Sequence, residues 1–252
     1  MGTINIFGIN IPMYSLMIIL GLLIGNIVAV KVIINNKLNL EDFIVLEAYG
    51  LAFGMFGAKL LYLWININNI QWSRFFEFEY FNGLMRGGFV FYGGLIGGII
   101  GVVIAHKIHK IDVKKYFAQL IYCIPLVHAF GRIGCYFAGC CYGMPYDGVF
   151  HVEYHNNPYS LCDVKLFPVQ LVEAISLIIL AIIFYILIRK KGSSLRWTYL
   201  YFISYSIVRF ILEMFRYDYE RGSVGIFSTS QWISICILTL MIILLIISKK
   251  KK

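Results

Sequence analysis

The stretch from Pro168 to Lys191 reads PVQLVEAISLIILAIIFYILIRKK. Its apolar part is long enough to cross about 30 Å of hydrocarbon as a helix, and it ends in a basic run. Near its start, Gln170 and Glu173 stand one helical turn apart and so share one face. The stretch therefore predicts a membrane-spanning helix with a polar face close to one end.

The composition of the whole chain indicates an integral membrane protein. Of its 252 residues, 60% are hydrophobic and only 14% are charged, whereas about 25% of the residues of a soluble domain are charged. The formal net charge is +9, but the basic residues cluster in short links between apolar segments. Such clusters are typical of topology signals rather than of a nucleic-acid-binding surface, so we expect no nucleic acid as a partner.

Seven segments are apolar and of roughly membrane-spanning length. They cover approximately 13–30, 43–64, 89–105, 116–131, 168–188, 197–215 and 230–248. They predict an all-α integral membrane fold with seven transmembrane helices, as a single polytopic domain over residues 1–252. Basic links follow the first, third, fifth and seventh segments, so the positive-inside rule places the N-terminus outside and the C-terminus inside. The link 132–167 is predicted to form a small extracytoplasmic cap.

Glycines recur at four-residue spacing in the third segment, at Gly93, Gly97 and Gly101. In a membrane helix this spacing lets two backbones approach each other, which favours a role in helix packing. Gly87 and Gly88 precede them, at an edge where the backbone can instead approach a ligand. Both interpretations stay open from the sequence alone.

The sixth segment contains the charged run VRFILEMFR, residues 208–216. Helical spacing places four polar side chains on one face: Tyr205, Arg209, Glu213 and Arg216. A charge at the centre of a membrane helix costs about 2.5–3.5 kcal/mol, so this face must point into the bundle or a watery cavity. The structural alternative is an ion pair within the helix, between Arg209 and Glu213.

Two other segments carry polar residues near the same, outer side of the membrane. His128 and Arg132 are one turn apart in the fourth segment, as are Gln170 and Glu173 in the fifth. Converging ionisable groups inside a membrane indicate a functional site. Guanidinium forks suit phosphate, and a phosphate within reach of the bilayer is most simply a phospholipid headgroup. The residues therefore predict an arginine-lined pocket for a lipid phosphate, without specifying a reaction.

In the order and spacing of its motifs, the chain resembles the prolipoprotein diacylglyceryl transferase family over almost its whole length. The family's G-G-x-x-x-H-G-G-L-I-G stretch looks like GGFVFYGGLIGG, residues 87–98, and its G-R-x-G-N-F like the start of GRIGCYFAGCCYG, residues 131–143. Single motif residues match as well, in the first helix, the Q-L-x-E helix start and the complete Y-x-x-x-R-x-x-x-E-x-x-R pattern: Tyr14, Gln170, Glu173, Tyr205, Arg209, Glu213 and Arg216.

This resemblance implies a multi-pass enzyme of the bacterial cytoplasmic membrane. Such an enzyme moves a diacylglyceryl group from phosphatidylglycerol to the lipobox cysteine beside the signal peptide of a pre-lipoprotein, and releases glycerol phosphate. No cofactor and no metal are expected. The family motifs imply catalytic roles for Tyr14, Tyr92, Arg132, Tyr205, Arg209 and Glu213. They imply substrate binding by Arg132 and Arg209 and by further residues: Gly93, Gly94, Gly134, Cys135, Cys140, Gly143, Gln170, Glu173 and Arg216.

Four positions depart from the family pattern. Tyr92 stands in place of the family's His, Cys135 and Ala138 in place of two Asn residues, and Cys140 in place of a Glu. Tyr92 is expected either to act as a base or to donate a hydrogen bond to a phosphate oxygen. His128 is an alternative base, although a lone helical histidine more often has a packing role.

The thiols of Cys135, Cys140 and Cys141 leave several alternatives open. One of them can form a disulfide with Cys162, since both partners are predicted to lie outside the cytoplasm. They can instead pack inertly, carry the diacylglyceryl group, or bind a metal, which is weakly indicated without a His partner. Two alternatives remain for the whole protein: a divergent transferase with another acceptor, and a non-enzymatic lipid-binding or transporter-like protein.

Overall fold

The structure is a computed structural model that describes residues 2–6, 8–218 and 222–250. Two compact units are distinguished: unit 1, residues 1–32 and 117–252, and unit 2, residues 33–116. That the chain forms a single domain stays a prediction. The elements follow in this order: β1 Thr3–Ile6, β2 Ile9–Pro12, α1 Met13–Asn35, α2 Leu40–Ile65, α3 Phe78–Arg86, α4 Phe91–His109, α5 Val113–Leu120, α6 Cys123–Ala138, α7 Val169–Lys191, α8 Leu195–Glu213, β3 Ser223–Val224, β4 Phe227–Ser228 and α9 Thr229–Lys250.

The fold is mostly helical, as predicted, and several helices suit a membrane. Within the described residues, five helices are long and apolar enough to span it: α1, α2, α4, α7 and α9. A sixth span results if the bent pair of α5 and α6 crosses as one. Helix α8 is not among them, and it carries the charged run identified above. All seven predicted segments contain a helix, but the number of seven transmembrane helices is not confirmed.

The fourth predicted segment, 116–131, is broken in the structure. Helix α5 ends at Leu120 and α6 begins at Cys123, and the break lies just before Pro125. In a continuous helix the proline ring would clash with the carbonyl of Ile121, four residues earlier, and one backbone hydrogen bond would be missing. The sequence pattern showed the apolar character of the segment, but it did not reveal this break.

In unit 2, α2 and α4 pack through small residues. Gly93 lies against the Gly57 carbonyl and Gly97 against the Phe53 carbonyl, so closely that a Cβ at either position would overlap the α2 backbone. A membrane helix interface built on small residues allows such close approach. The interpretation of these glycines as a helix-packing pattern is confirmed.

In unit 1, the antiparallel hairpin of β1 and β2 pairs Thr3 with Pro12 and leads directly into α1. Helix α7 contacts α6 and α8, and α8 contacts α9. Successive helices run in opposite directions, so the C-terminal ends of α6 and α8 meet the N-terminal ends of α1, α7 and α9. The functional residues lie at this end of unit 1.

The link between α6 and α7 is shorter than predicted for the cap, because α6 continues to Ala138 and includes residues 132–138. Residues 139–168 contain no helix and are ordered by isolated backbone bridges, among them Val152 with Leu166. A small apolar core of Tyr142, Val152 and Leu166 holds this link together. Its extracytoplasmic location stays a prediction.

Candidate functional site

A single buried carboxylate joins three helices at the end of unit 1 described above. Glu173, in the second turn of α7, has its Oε1 3.1 Å from Nε of Arg132 in α6. Its Oε2 accepts a hydrogen bond from Nη1 of Arg209 in α8 at 3.1 Å. The Tyr205 hydroxyl, also in α8, donates to Oε1 at 3.0 Å. A carboxylate near a helix N-terminus is also favoured by the helix dipole.

The chain of charges continues beyond Arg209. Its Nη2 lies 2.5 Å from Oε2 of Glu213, and the same oxygen lies 3.4 Å from Nη1 of Arg216. Arg216 then donates two hydrogen bonds to Asp218, at 2.9 and 2.7 Å. The six side chains, here called the charged network, alternate in sign: Arg132, Glu173, Arg209, Glu213, Arg216 and Asp218. Three guanidinium groups thus face three carboxylates, and the formal charges cancel.

The network contains the ion pair within α8 that the sequence offered as an alternative. Arg209 pairs with Glu213 one turn away, but it also pairs with Glu173 from α7. Glu173 is only 2% exposed and Glu213 only 1%. Removing one partner of a buried pair leaves the other charge uncompensated, which typically costs about 3–5 kcal/mol. Each charge therefore depends on its neighbours, and the network ties α6, α7 and α8 to one another.

Arg132 is the guanidinium in the network with N–H groups to spare. Its side chain is 15% exposed, against 9% for Arg209 and for Arg216. Its Nε is at ion-pair distance from Glu173, although not aligned as a hydrogen bond. Among the described residues, no hydrogen bond uses its Nη1 or Nη2. Arg132 can therefore offer a planar pair of donors to an anion while still paired with Glu173.

Helix α9 adds a hydroxyl to the network. Ser228 and Gln231 form a reciprocal cap at its start, because the Ser228 N–H donates to Oε1 of Gln231 and the Gln231 N–H donates to Oγ of Ser228. This is a capping box, which fixes the first helical turn. It holds Ser230 where its Oγ accepts a hydrogen bond from Nη2 of Arg209 at 3.2 Å.

Two further side chains complete the surroundings. The His128 ring lies edge-on to the Tyr205 ring, with centroids 5.3 Å apart, and it is one helical turn before Arg132 in α6. Arg216 lies beyond the end of α8, and burial opposes its charge. Its hydrogen bonds to Asp218 outweigh burial and hold the pKa of Arg216 above its ordinary value.

Three cysteines lie beside the charged network. The sulfur atoms of Cys135, Cys140 and Cys141 are within 4.8 Å of one another and are here called the thiol cluster. Cys135 is in the last turn of α6, and the chain turns at Gly139, with φ 75°, to bring the other two back. Cys141 itself has φ 57°, in the left-handed region.

The disulfide with Cys162 is not formed, and that alternative is wrong for this structure. All six cysteines are free. The Cys162 sulfur accepts a hydrogen bond from the Asn157 N–H at 3.2 Å and lies outside the thiol cluster. The backbone bridge from Cys162 to Tyr154 fixes it in this position.

The remaining motif residues of unit 1 come to the same end. Gly134 leaves room for Tyr14 of α1, whose ring would lie 3.2 Å from a Cβ at that position. Gly143 forms a backbone bridge with Arg216. This bridge places the segment that carries Cys140 and Cys141 next to Arg216. Gln170 donates from Nε2 to the Cys140 carbonyl at 2.9 Å. The structure thus brings these residues together, while their roles stay predictions.

Tyr92, Gly93 and Gly94 belong to unit 2. Tyr92 is the second residue of α4, and its ring lies edge-on to that of Phe91. Gly93 and Gly94 both face α2, so packing accounts for them in this unit. Their predicted roles in catalysis and binding are not tested by the structure.

Three polar residues of the structure were not singled out in the sequence. Asp218 and Ser230 both bind arginines of the network. Lys59, in the C-terminal half of α2, donates to the carbonyls of Leu84, Gly87 and Gly88. A lysine within an apolar segment was a signal that could have been used, whereas nothing in the sequence connects Ser230 with Arg209.

Comparison with known proteins gives consistent matches over most of the chain. The family model described as prolipoprotein diacylglyceryl transferase matches residues 2–247. The phosphatidylglycerol–prolipoprotein diacylglyceryl transferase of Clostridium tetani is 36% identical, over 92% of this chain and 90% of its own length. A protein named phosphatidylglycerol–prolipoprotein diacylglyceryl transferase 2, from Clostridium perfringens, is 32% identical, over 98% of this chain and 94% of its own length.

Proposed function

The chain belongs to the prolipoprotein diacylglyceryl transferase family, and on this premise we propose how its charged network takes part in the reaction. The protein is a multi-pass membrane enzyme that transfers a diacylglyceryl group from phosphatidylglycerol to prolipoprotein. We propose that the acceptor is the lipobox cysteine and that glycerol phosphate leaves. The site then faces the outer side of the membrane, with the N-terminus outside and the C-terminal lysines inside.

The proposal rests mainly on one observation, the open N–H groups of Arg132. This residue keeps Nη1 and Nη2 for a ligand while its Nε faces Glu173. A guanidinium fork donates two parallel hydrogen bonds to a phosphate, which gives both charge and orientation. In the proposed complex, the phosphate of phosphatidylglycerol binds this face of Arg132.

The reaction places its largest change of charge on the phosphate. The acceptor sulfur attacks the glyceryl carbon, a C–S bond forms, and the C–O bond to phosphate breaks with its electron pair on oxygen. Fixed positive groups near that oxygen stabilise the transition state more than the ground state, because the leaving oxygen gains charge. Arg132 is proposed as the direct contact, and Arg209 as a second source of positive charge.

The carboxylates are proposed to hold the arginines rather than to react. Glu173 fixes Arg132 and Arg209 at 3.1 Å each, and Glu213 fixes Arg209 and Arg216. Preorganised groups need no reorganisation during the reaction. The formal charges of the six described side chains cancel, so a phosphate dianion formed at Arg132 adds negative charge to this group, and this favours release of glycerol phosphate.

The test uses the purified full-length chain with phosphatidylglycerol vesicles and a lipobox peptide. The expected products are a diacylglyceryl thioether on the peptide cysteine and free glycerol phosphate in equal amounts, both measured by mass spectrometry. A peptide with serine in place of the cysteine is the control and should stay unmodified. Unmodified cysteine peptide, with intact lipid, would contradict the proposed acceptor.

The comparisons do not favour a non-enzymatic lipid-binding or transporter-like protein. A divergent transferase with another acceptor would leave the peptide unmodified and the lipid intact in this assay, and would release glycerol phosphate only once its own acceptor is added. In vivo, the corresponding test is whether this protein restores lipoprotein maturation in cells depleted of their own transferase.

A further inference from the structure

The proposed function gives no role to the thiol cluster of Cys135, Cys140 and Cys141. Its three sulfur atoms lie within 4.8 Å of one another. Around a tetrahedral zinc ion, with Zn–S bonds of about 2.3 Å, sulfur atoms are roughly 3.8 Å apart. The sulfur separations in the cluster therefore exceed those around a zinc ion by no more than about 1 Å. The three thiols are free to bind a metal ion, because none is in a disulfide.

The backbone around the cluster is arranged to bring the sulfurs together. Cys141 adopts φ 57°, a conformation that residues other than glycine rarely take. A cysteine thus stands where the backbone favours glycine, in the same turn as Gly139. Gln170 holds the Cys140 carbonyl at 2.9 Å and so fixes the middle of this turn. Inert packing explains neither the choice of residue at 141 nor the convergence of the three sulfurs.

We propose that the thiol cluster binds a zinc ion whose fourth position takes the sulfur of the acceptor cysteine. The second half of this proposal rests on the proposed function. Three protein thiolates with an open fourth position are the arrangement of a catalytic rather than a structural zinc site. This proposal differs from the sequence-based expectation that the protein binds no metal. The sequence did not show that the three thiols lie close together.

The charges around the thiol cluster support a zinc ion with a fourth thiolate as its occupant. Three thiolates and Zn²⁺ sum to −1, and a fourth thiolate brings the sum to −2. A partly buried anion of this kind requires positive charge nearby. Arg132 lies one helical turn before Cys135 in α6, and Arg216 is held beside the cluster by its backbone bridge to Gly143. Both guanidinium groups place positive charge beside the loaded site, in addition to their pairing with carboxylates of the network.

The zinc ion would activate the acceptor thiol directly. A thiol that coordinates zinc is deprotonated outright, so the acceptor sulfur gives up its proton to water on binding. The thiolate then forms the C–S bond, while the C–O bond breaks and glycerol phosphate leaves with the electron pair. The product thioether is neutral and a weaker ligand than the thiolate, so it dissociates and reopens the site. No side-chain base is needed, which fits Tyr92 in place of the family's histidine.

The metal site is tested first without reference to activity. The full-length protein in detergent is loaded with zinc under reducing conditions, desalted, and its metal content measured by mass spectrometry. We expect about one zinc ion per chain, and a sulfur-to-cobalt absorption band when Co²⁺ replaces zinc. Cys140→Ser should lose both signals, and Cys140→His should regain part of the zinc, because imidazole is also a zinc ligand.

Cys162→Ser and Cys236→Ser are the matched controls, since both cysteines lie outside the cluster, and both should keep the full signals. Wild-type protein with no more zinc than Cys140→Ser would overturn the proposal. So would equal loss of zinc in the Cys162→Ser control, or a disulfide within the cluster that persists in the zinc-loaded reduced protein.

The fourth position is tested with the cobalt-loaded protein and the lipobox peptide. Addition of the cysteine peptide should shift the visible absorption, and the serine peptide should not. In the transfer assay, removal of zinc with a chelator should lower the rate about 30-fold, because only about 3% of a free thiol with a pKa near 8.5 is thiolate at pH 7, and zinc should restore it. Transfer at an unchanged rate without zinc would overturn this inference and leave the proposed function standing. A protein that binds zinc and the thiol but never transfers lipid would instead refute the proposed function.

Discussion

Glu173 of α7 accepts a hydrogen bond from Arg209 of α8 at 3.1 Å, although the two residues are 36 positions apart in the chain. This contact turns an ion pair within one helix into a network across three helices. Through Glu173, the ion pair of Arg209 and Glu213 in α8 is joined to Arg132, whose guanidinium is open to a ligand.

The first prediction concerns the stability that depends on Glu173. Glu173→Gln keeps the size of the side chain but leaves Arg132 and Arg209 without their shared countercharge. We expect a loss of about 3–5 kcal/mol, the usual effect of removing one partner of a buried pair. Thermal unfolding in detergent measures it. The exposed Glu153→Gln is the control, since its partner His151 lies at 3.6 Å on the surface, and it should change the unfolding midpoint little.

A double-mutant cycle sharpens this test. Glu173→Gln combined with Arg209→Gln should cost clearly less than the sum of the single changes, because the two side chains share a contact. Strict additivity would show that the contact does not stabilise the protein.

A second prediction concerns the topology. The exposed Cys162 lies in the link predicted to face outward, so a membrane-impermeant maleimide should label it in intact cells. Lys107→Cys, introduced at the end of α4 in a Cys162→Ser background, should be labelled only after the membrane is opened. Labelling of the introduced cysteine in intact cells would reverse the proposed orientation.

A third prediction concerns Tyr92. If its hydroxyl only donates to a phosphate oxygen, Tyr92→Phe should slow transfer about ten- to a hundred-fold, the value of one hydrogen bond to a charged group. This loss should be similar at all pH values. If Tyr92 is the base, the loss should be larger and should shrink as pH rises, because the acceptor thiol then ionises unaided. Tyr92→His should be tolerated in either case, and unchanged activity of Tyr92→Phe would remove this residue from the reaction.

A fourth prediction uses the left-handed backbone of Cys141. A non-glycine residue in this region costs about 1–2 kcal/mol, whereas glycine adds chain entropy worth about 0.5–1 kcal/mol to the unfolded state. Cys141→Gly should therefore leave the zinc-free protein as stable as before or slightly more so. Cys140→Gly is the control, has no such strain to relieve, and should destabilise. Zinc should raise the unfolding midpoint of the wild type but not of Cys141→Gly.

Much of the fold followed from local sequence features. Apolar length identified seven segments that all contain a helix, five of them long and apolar enough to span a membrane. The four-residue glycine spacing correctly indicated close helix packing, but it did not show that α4 packs on α2. The broken fourth segment was missed because apolar character does not distinguish one helix from two, although Pro125 was visible. Helix α8 was taken for a span like the others, but its polar face leaves it outside the set of clearly apolar helices.

The site was partly predictable for a different reason. Helical spacing shows which side chains share a face, so Arg209 and Glu213 were recognised as neighbours. Contacts between helices depend on packing, and for that reason the bonds from Glu173 to Arg132 and Arg209 did not follow from spacing. The convergence of Cys135 with Cys140 and Cys141 likewise depends on the turn at Gly139, whose conformation the sequence does not specify.

The central claim is that the open N–H groups of Arg132 bind the phosphate of phosphatidylglycerol. Arg132→Lys retains the positive charge but loses the planar pair of donors. Arg189→Lys, in the basic run at the end of α7, is the control, and should transfer at the wild-type rate.

The measurement is kcat/KM for transfer from phosphatidylglycerol to the lipobox peptide. The account predicts that Arg132→Lys lowers it about ten- to a hundred-fold, which corresponds to the loss of one charge-assisted hydrogen bond, and that Arg132→Ala abolishes transfer while the protein stays folded. Wild-type kcat/KM in Arg132→Lys and Arg132→Ala would contradict it, because the leaving phosphate would then be bound elsewhere.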